Sequence, residues 1–171
     1  MHIGEIITAD TANGTGFRVS VFVSGCTNCC KGCFQPETWD FNYGKKYTEE
    51  MEAFIIGELK KPFYQGLTIL GGEPFEPENQ KALLPLIKKV KEECPDRDLW
   101  MYTGFVYDKD LVKGGRKYLE NVTEDILKHV DVLVDGPFVE AKKNLSLSYR
   151  GSENQRIIDM KETVNNPPLN E

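Results

Sequence analysis

The chain has 171 residues, with 40% hydrophobic and 28% charged residues, which suits one domain with a core and is too small for two. Its formal net charge of -6 argues against sequence-independent nucleic-acid binding, which needs clustered Lys and Arg. The N-terminal stretch lacks the basic flank and apolar run of a signal peptide, and no window approaches the roughly 18 apolar residues of a membrane span. We therefore expect a cytoplasmic protein that binds neither nucleic acid nor membrane.

The first half of the chain alternates between strand and helix patterns. Residues 18–24, RVSVFVS, alternate in polarity and are rich in β-branched side chains, which predicts a strand. Thr48 is the predicted N-cap of a helix that continues to Lys60. The apolar run LTIL, residues 67–70, ends at two glycines and predicts a short buried strand.

The second half continues the alternation. Residues 77–93 predict a helix that is either kinked at Pro85 or divided there into two helices. Residues 99–103 and 130–134 predict two more strands, and Thr123 is the predicted N-cap of a short helix between them. The polar end VNNPPLNE predicts a disordered tail over residues 164–171, so the domain is expected to span residues 1–163.

Alternating strands and helices predict a single α/β domain with a mostly parallel sheet. A closed eight-stranded barrel needs about 250 residues, so we expect an open sheet or a partial α/β barrel. Ligands of open parallel sheets lie beyond the carboxyl ends of the strands. Three motifs follow predicted strand ends, namely the cysteine-rich loop, Gly71-Gly72-Glu73 and Thr103-Gly104. The sequence therefore predicts that these motifs share one site.

Four of the five cysteines lie within SGCTNCCKGCF, residues 24–34. Disulfides are rare in the cytosol, so this cluster of thiols indicates metal binding or catalysis. Cys26, Cys30 and Cys33 have the spacing C-x3-C-x2-C, whereas Cys26, Cys29 and Cys33 have the spacing C-x2-C-x3-C. Spacing alone excludes neither set of three.

The number of available thiols distinguishes the kinds of metal site. A structural zinc takes four ligands, and Cys94, His2 and His129 do not complete such a set. An electron-carrying iron–sulfur cluster normally has four thiolates, but this loop accommodates only three well. A cubane held by three thiolates leaves one iron free for a small molecule. A non-catalytic zinc or iron–sulfur binding module is the alternative.

The spacing C-x3-C-x2-C resembles the cluster motif of the radical S-adenosylmethionine (SAM) superfamily. The resemblance implies that Cys26, Cys30 and Cys33 hold one [4Fe-4S] cluster and that Cys29 is a bystander. In that superfamily the fourth iron chelates the amino and carboxylate groups of SAM, and an aromatic residue usually precedes the last cysteine.

This chain departs from the usual motif beside its last cysteine. Gly32 stands before Cys33 and the aromatic Phe34 follows it. The order Gly-Cys-aromatic is similar to that of a subgroup of glycyl-radical activating enzymes, the activators of anaerobic ribonucleotide reductases. By this resemblance Gly32, Cys33 and Phe34 are expected next to the cofactors.

Other motifs extend the resemblance over residues 1 to about 160. In GGEP, residues 71–74, the similarity implies that Gly71, Gly72 and Glu73 bind the methionine ammonium of SAM, because glycine permits close backbone approach. In WMYTG, residues 100–104, it places Tyr102 and Thr103 at the adenosyl end. NGTGFR, residues 13–18, resembles the lead-in of the same enzymes.

Two further segments, DVLVDGPF at residues 131–138 and RGSENQR at residues 150–156, resemble the same subgroup. In the second segment, Arg150, Asn154, Gln155 and Arg156 are candidates for contact with the SAM carboxylate or with a partner protein.

The resemblance implies an oxidoreductase that reductively cleaves SAM to a 5′-deoxyadenosyl radical. That radical would take a glycine Cα hydrogen from an anaerobic ribonucleoside-triphosphate reductase, with reduced flavodoxin or ferredoxin as the electron donor. No catalytic residue is expected beyond the cluster and SAM. The alternative within the superfamily is an activase of another glycyl-radical enzyme, such as a formate lyase.

Overall fold

Seven strands form one sheet in the computed structural model, which describes residues 1–165. The strands are β1 (His2–Asp10), β2 (Phe17–Val23), β3 (Lys45–Lys46), β4 (Tyr64–Gly71), β5 (Asp98–Tyr102), β6 (Val132–Asp135) and β7 (Arg156–Asp159). Their order across the sheet is β3-β1-β2-β4-β5-β6-β7. The single α/β domain expected from the sequence is confirmed.

The sheet is mixed, so the expectation of a mostly parallel sheet is wrong. β2, β4, β5 and β6 are parallel neighbours, whereas β1 pairs antiparallel with β2 and β3, and β7 pairs antiparallel with β6. The outer strands were not predicted because their patterns are weak: β7 has no buried residue, and β1 carries two register shifts against β2. Closure toward a partial barrel stays a prediction.

Within residues 1–165, five helices accompany the sheet: α1 (Glu49–Leu59), α2 (Pro77–Glu93), α3 (Tyr107–Asp110), α4 (Thr123–His129) and α5 (Met160–Asn165). The predicted cap of α1 is confirmed, because the Thr48 hydroxyl accepts a hydrogen bond from the Met51 amide at 3.3 Å. α2 continues through Pro85, so the two-helix alternative is wrong. Fully buried Leu83 and Leu86 on either side hold the helix by packing.

The predicted cap of α4 is wrong. Val122 occupies the N-cap position and makes no side-chain capping bond. The Thr123 hydroxyl instead accepts from the Leu119 amide at 2.7 Å and donates to the Gln80 side chain at 2.6 Å. The Thr123 hydroxyl thus bonds to a buried side chain of α2, and it does not cap α4 as the local sequence pattern predicts.

The central strands carry the core. Val19, Val21, Leu67, Ile69 and Met101 are fully buried, and they pack with apolar side chains of α1 and α2. Fully burying such a side chain contributes about 1.5–3 kcal/mol, so this packing holds the four parallel strands in place. Their carboxyl ends consequently come together at one edge of the sheet.

Two expectations concern the ends and the surface of the chain. Of the tail expected over residues 164–171, the backbone of residues 164 and 165 lies in α5, and residues 166–171 lie outside the described residues. Among the helices of residues 1–165, none has the length and apolar character needed to cross a membrane.

Candidate cofactor site

A cavity of about 750 Å³ lies beyond the carboxyl ends of the four parallel strands. Its volume falls within the roughly 300–1,000 Å³ of small-molecule sites. Each parallel strand leads into a segment that lines it. These residues are Cys26, Cys30 and Cys33 after β2, Gly71, Gly72 and Glu73 at the end of β4, Tyr102, Thr103 and Gly104 at the end of β5, and Gly136 and Phe138 after β6.

Only three of the four clustered cysteines line the cavity. Cys26, Cys30 and Cys33 are partly buried and line it, whereas Cys29 is exposed and is absent from the lining. Cys29 has a left-handed φ of 45°, and its thiol lies 3.7 Å from the Cys26 carbonyl oxygen. The geometry therefore favours the C-x3-C-x2-C set over the other set that spacing had left open.

Burial favours the protonated thiol at two of these cysteines in the absence of a metal. It raises the pKa of Cys26 to about 12 and also raises the pKa of Cys30. A thiolate at these positions needs a nearby positive charge, and iron supplies one. Within residues 1–165 no three Cys, His, Asp or Glu side chains approach closely enough to hold a single metal ion. Three cysteines that line one cavity are the kind of thiolate donor set that iron–sulfur clusters use.

The cysteine loop is anchored to the start of α2 by a buried carboxylate. Glu76 is 2% exposed, and its Oε1 accepts hydrogen bonds from the amide and hydroxyl of Thr27 at 2.9 and 2.5 Å. Lys117 donates to the other oxygen of Glu76 at 2.6 Å and to the Thr27 hydroxyl at 3.1 Å. This network fixes the loop between Cys26 and Cys30. Glu76 and Lys117 belong to no motif that the sequence analysis identified.

The glycine pair after β4 packs directly against the base of the cysteine loop. The Gly72 amide donates to Val23 at 2.7 Å, and the Glu73 amide donates to Gly25 at 2.8 Å. A Cβ at Gly72 would lie 2.8 Å from the Gly25 carbonyl oxygen and 2.9 Å from that of Thr38. Gly72 is therefore required by backbone packing, in addition to any ligand. An ammonium group only donates hydrogen bonds, so it would bind the carbonyl oxygens of this turn and not its amides.

Glu73 is fully buried and joins the ends of β4 and β5. One carboxylate oxygen accepts from the Phe75 amide at 2.9 Å and the Thr103 hydroxyl at 2.8 Å. The other accepts from the Gly104 amide at 2.7 Å and from Asn28 of the cysteine loop at 3.4 Å. Burial raises the pKa of Glu73 to about 7, although these hydrogen bonds lower it. These bonds make Glu73 a residue that positions the cavity wall.

The segment at residues 13–18 supports the cavity through Arg18, which is fully buried. Its guanidinium donates to the Thr68 hydroxyl at 2.6 Å and to the Asp98 carboxylate at 2.5 Å. The Thr68 hydroxyl in turn donates to the carbonyl of Asn13 at 2.8 Å, and Asn13 lines the cavity together with Ala12. Arg18 thus holds the turn that forms one wall.

Two of the four candidates in the segment at residues 150–156 line the cavity, namely Arg150 and Gln155. Asn154 donates to the Pro137 carbonyl at 2.8 Å, and Arg156 pairs with Asp135 at 2.5 Å, so both fasten the segment to the end of β6. Neither Asn154 nor Arg156 is among the lining residues.

Of the two candidates beside the last cysteine, Phe34 lines the cavity and Gly32 does not. Phe34 lines the cavity and is 64% exposed, and its ring centroid lies 5.2 Å from that of Phe138. Gly32 has a left-handed φ of 74° and is not among the lining residues; a Cβ there would meet Glu140 at 3.0 Å.

Three buried polar atoms in the cavity wall have no hydrogen-bond partner within residues 1–165. They are the indole nitrogen of Trp39, the hydroxyl of Tyr102 and Nε of Arg150. Buried polar atoms normally have partners, so these three atoms suit a polar ligand. Burial also raises the pKa of Tyr102, which keeps its hydroxyl a neutral donor. Trp39 was missed from the sequence because its 3-10 turn, Pro36–Trp39, carries no recognisable motif.

Comparison with known proteins gives a consistent result. A family model described as a 4Fe-4S single cluster domain matches residues 12–158. The anaerobic ribonucleoside-triphosphate reductase-activating protein of Pasteurella multocida is 42% identical over 159 residues, covering 92% of this chain and 96% of that protein. Proteins of the same name from Escherichia coli K12 and Enterobacteria phage T4 are 36% identical over 159 residues, covering 97% and 93% of their own lengths. The chain therefore belongs to the family of anaerobic ribonucleoside-triphosphate reductase-activating proteins.

Proposed function

We propose that the chain is a radical SAM activase that generates the glycyl radical of an anaerobic ribonucleoside-triphosphate reductase. The observation that carries the proposal is the meeting of four strand ends at one cavity that contains Cys26, Cys30 and Cys33 and leaves Cys29 outside. Three thiolates for a cubane leave one iron for SAM. The names of the relatives supply the partner, because they describe proteins that activate such a reductase.

Different residues of this chain bind the cluster and the ammonium and carboxylate groups of SAM. Cys26, Cys30 and Cys33 hold the [4Fe-4S] cluster. The carbonyl oxygens of Gly71 and Gly72 accept hydrogen bonds from the ammonium group of SAM. Among the described residues that line the cavity, Arg150 is the one Lys or Arg, so it is suited to the carboxylate of SAM.

At the adenosyl end, Tyr102 provides a neutral hydroxyl, and Thr103 holds the strand end in place through its bond to Glu73. Phe22, Leu70 and Phe138 form an apolar part of the wall that excludes water. These residues bind, orient and shield, and none of them needs to act as a general acid or base.

A [4Fe-4S] cluster held by Cys26, Cys30 and Cys33 would supply one electron, taken from reduced flavodoxin or ferredoxin, for the cleavage of SAM to methionine and the radical that removes the glycine hydrogen. This chain's contribution is to hold both groups in one cavity that a glycine-bearing segment can enter. The mouth of that cavity is formed by exposed side chains, among them Phe34.

The test is an EPR experiment under strict anaerobiosis. The chain is reconstituted with iron and sulfide, then mixed with SAM, a strong reductant and the anaerobic ribonucleotide reductase of the same organism. We expect a glycyl doublet that is absent without SAM and absent with Cys30→Ala. A preparation with an intact cluster that neither releases 5′-deoxyadenosine nor forms the doublet would contradict the proposal and favour a non-catalytic iron–sulfur module.

A second arm separates the candidate partners. If 5′-deoxyadenosine is released but the reductase gives no doublet, the same mixture is tested with a formate lyase. A doublet on the lyase alone would reassign the chain to another glycyl-radical enzyme while keeping its SAM chemistry.

A further inference from the structure

The mouth of the cavity exposes apolar side chains to an unusual degree. Leu145 is 86% exposed, and Phe34 is 64% exposed. Both contribute to the same opening, together with Phe138, whose ring contacts that of Phe34 at 5.2 Å between centroids. Exposed apolar residues that line the opening of one cavity indicate a surface that a partner covers. We call Phe34, Phe138 and Leu145 the apolar rim.

The segment that carries Leu145 is held at its two ends. The Glu153 amide donates to the Lys142 carbonyl at 2.9 Å, and the Asn144 amide donates to the Gly151 carbonyl at 3.2 Å. Within the segment, the Asn144 side chain accepts from the amide and hydroxyl of Ser146 at 3.0 and 2.6 Å. Local bonds thus fix the turn around Leu145, so its exposure is a property of a structured turn.

The surroundings of the rim are basic, although the whole chain has a net charge of -6. Lys142 and Lys143 are exposed, and Nζ of Lys143 lies 5.1 Å from the centroid of the Phe34 ring. Two acidic residues are also close by: Glu140 pairs with Lys31 at 3.3 Å, and the Glu153 carboxylate accepts a hydrogen bond from the Asn144 side chain at 3.1 Å. Lys142 and Lys143 would therefore attract an acidic partner surface to this side of the molecule.

We propose that the apolar rim and Lys142 and Lys143 form the docking surface for the glycine-bearing segment of the reductase. This inference rests on the proposed function, because the glycine Cα must reach a cavity whose opening the rim lines. The occupant is a protein segment with a glycine at the reacting position, an apolar side chain that packs on Leu145 and Phe34, and carboxylates facing the two lysines. Glycine suits the position since it has no side chain to obstruct entry.

The test compares Leu145→Asp with Phe63→Ser. Phe63 is 53% exposed but precedes β4, at the opposite end of the parallel strands, so it is a matched control for an exposed apolar side chain. Affinity for the reductase is measured anaerobically with the cluster-loaded, SAM-bound protein. We expect Leu145→Asp to weaken binding at least tenfold and Phe63→Ser to change it less than twofold. The double variant Lys142→Glu, Lys143→Glu should weaken binding at low salt and flatten its salt dependence.

Three results would overturn the docking surface. Equal reductase affinities for Leu145→Asp and Phe63→Ser would remove the rim from the interface. If Leu145→Asp loses SAM affinity by the same factor as reductase affinity, Leu145 belongs to the cofactor site instead. Self-association of the chain that only Leu145→Asp abolishes, without a change in reductase affinity, would make the occupant a second copy.

Failure of the docking surface and failure of the proposed function are distinguishable. If the wild-type chain forms no glycyl radical, the proposed function fails whatever the variants do. If the wild-type chain forms the radical and Leu145→Asp binds and activates the reductase normally, only the docking surface fails.

Discussion

Cys29 and Cys30 are adjacent in the chain, yet only Cys30 contributes to the cavity wall. The left-handed backbone at Cys29, with φ of 45°, separates the directions of the two side chains. The turn continues with a hydrogen bond from the Cys33 amide to the Cys30 carbonyl at 3.1 Å. Backbone conformation therefore distinguishes ligands that spacing alone could not.

Exchanging each of these cysteines for alanine tests that distinction. Cys30→Ala should reduce bound iron to a small fraction of the wild-type content, because two thiolates do not hold a cubane. Cys29→Ala should retain more than about four fifths of the iron, since its exposed thiol has no partner in the cavity. Iron and sulfide analysis after anaerobic reconstitution measures both. Retention by Cys30→Ala with loss from Cys29→Ala would select the other set of three ligands.

Glu73 gives a residue-level prediction about pH. Its pKa in the folded chain, about 7, is above the ordinary value of 4.5, so between these pH values the folded state binds a proton that the unfolded state releases. The free energy of unfolding should therefore fall by on the order of 3 kcal/mol as the pH rises from about 4.5 to 7. Above that range it should level off.

The comparison variant for that measurement is Glu73→Gln, which has no titratable group at this position. Urea denaturation of the cluster-free wild-type chain and of Glu73→Gln is followed at several pH values, and the difference between the two curves isolates Glu73. A constant difference across this range would show that the hydrogen bonds from Phe75, Thr103 and Gly104 hold the pKa near its ordinary value.

At the level of elements, local patterns predicted those strands and helices that are buried. β2, β4, β5 and β6 were all anticipated within a few residues, because their burial gives them largely apolar sequences. β3 and β7 have no buried residue, and β1 is interrupted by register shifts. Their pairing is fixed by the neighbouring strand, which a local pattern does not contain.

At the site, too, local sequence patterns predicted some residues and missed those that depend on distant partners. The cysteines and the glycine pair were predictable because their chemistry restricts residue type and spacing. The supports were not: Arg18 binds Asp98, which is 80 positions away, and Glu76 binds Lys117, which is 41 positions away. Trp39 was missed because an indole donor has no characteristic spacing. Long-range partners of this kind emerge only when the fold has brought the elements together.

The contact between the glycine turn after β4 and the loop after β2 gives a prediction for these two elements. Gly72→Ala should lower iron content and SAM affinity together, because its methyl group would press on the carbonyl oxygens of Gly25 and Thr38, and Gly25 precedes Cys26. We expect a loss of about 1–3 kcal/mol in the free energy of unfolding, as for overpacked sites.

A matched control for that substitution lies in α1. Gly57→Ala adds a methyl group where no atom lies within 4 Å, inside a helix, and should stabilise the chain by about 0.5–1 kcal/mol with unchanged iron content. Calorimetric SAM titration and iron analysis of both variants provide the measurement. Normal iron with reduced SAM affinity in Gly72→Ala would show that this glycine serves the ligand alone.

For the whole molecule, the cavity connects a rigid sheet to a less protected segment. The four central strands hold many of the fully buried side chains, whereas residues 139–151 are largely exposed and connected to the remainder by few backbone hydrogen bonds. Amide exchange should therefore be slow in β2, β4 and β5 and fast in residues 139–151 of the cluster-free chain. A ligand that contacts both parts would reduce this difference, because it binds the folded arrangement only.

Hydrogen exchange followed by mass spectrometry tests this coupling. Loading with the cluster and SAM should slow exchange in residues 139–151 at least tenfold, since Arg150 and Tyr149 line the same cavity as the cysteines. At short labelling times, exchange in β4 should stay below detection before and after loading, because that strand exchanges only on global unfolding. Cys30→Ala treated in the same way should show no gain. A gain confined to residues 26–33 would mean that the cofactors contact the cysteine loop alone, and that the segment at residues 139–151 is positioned by the partner protein instead.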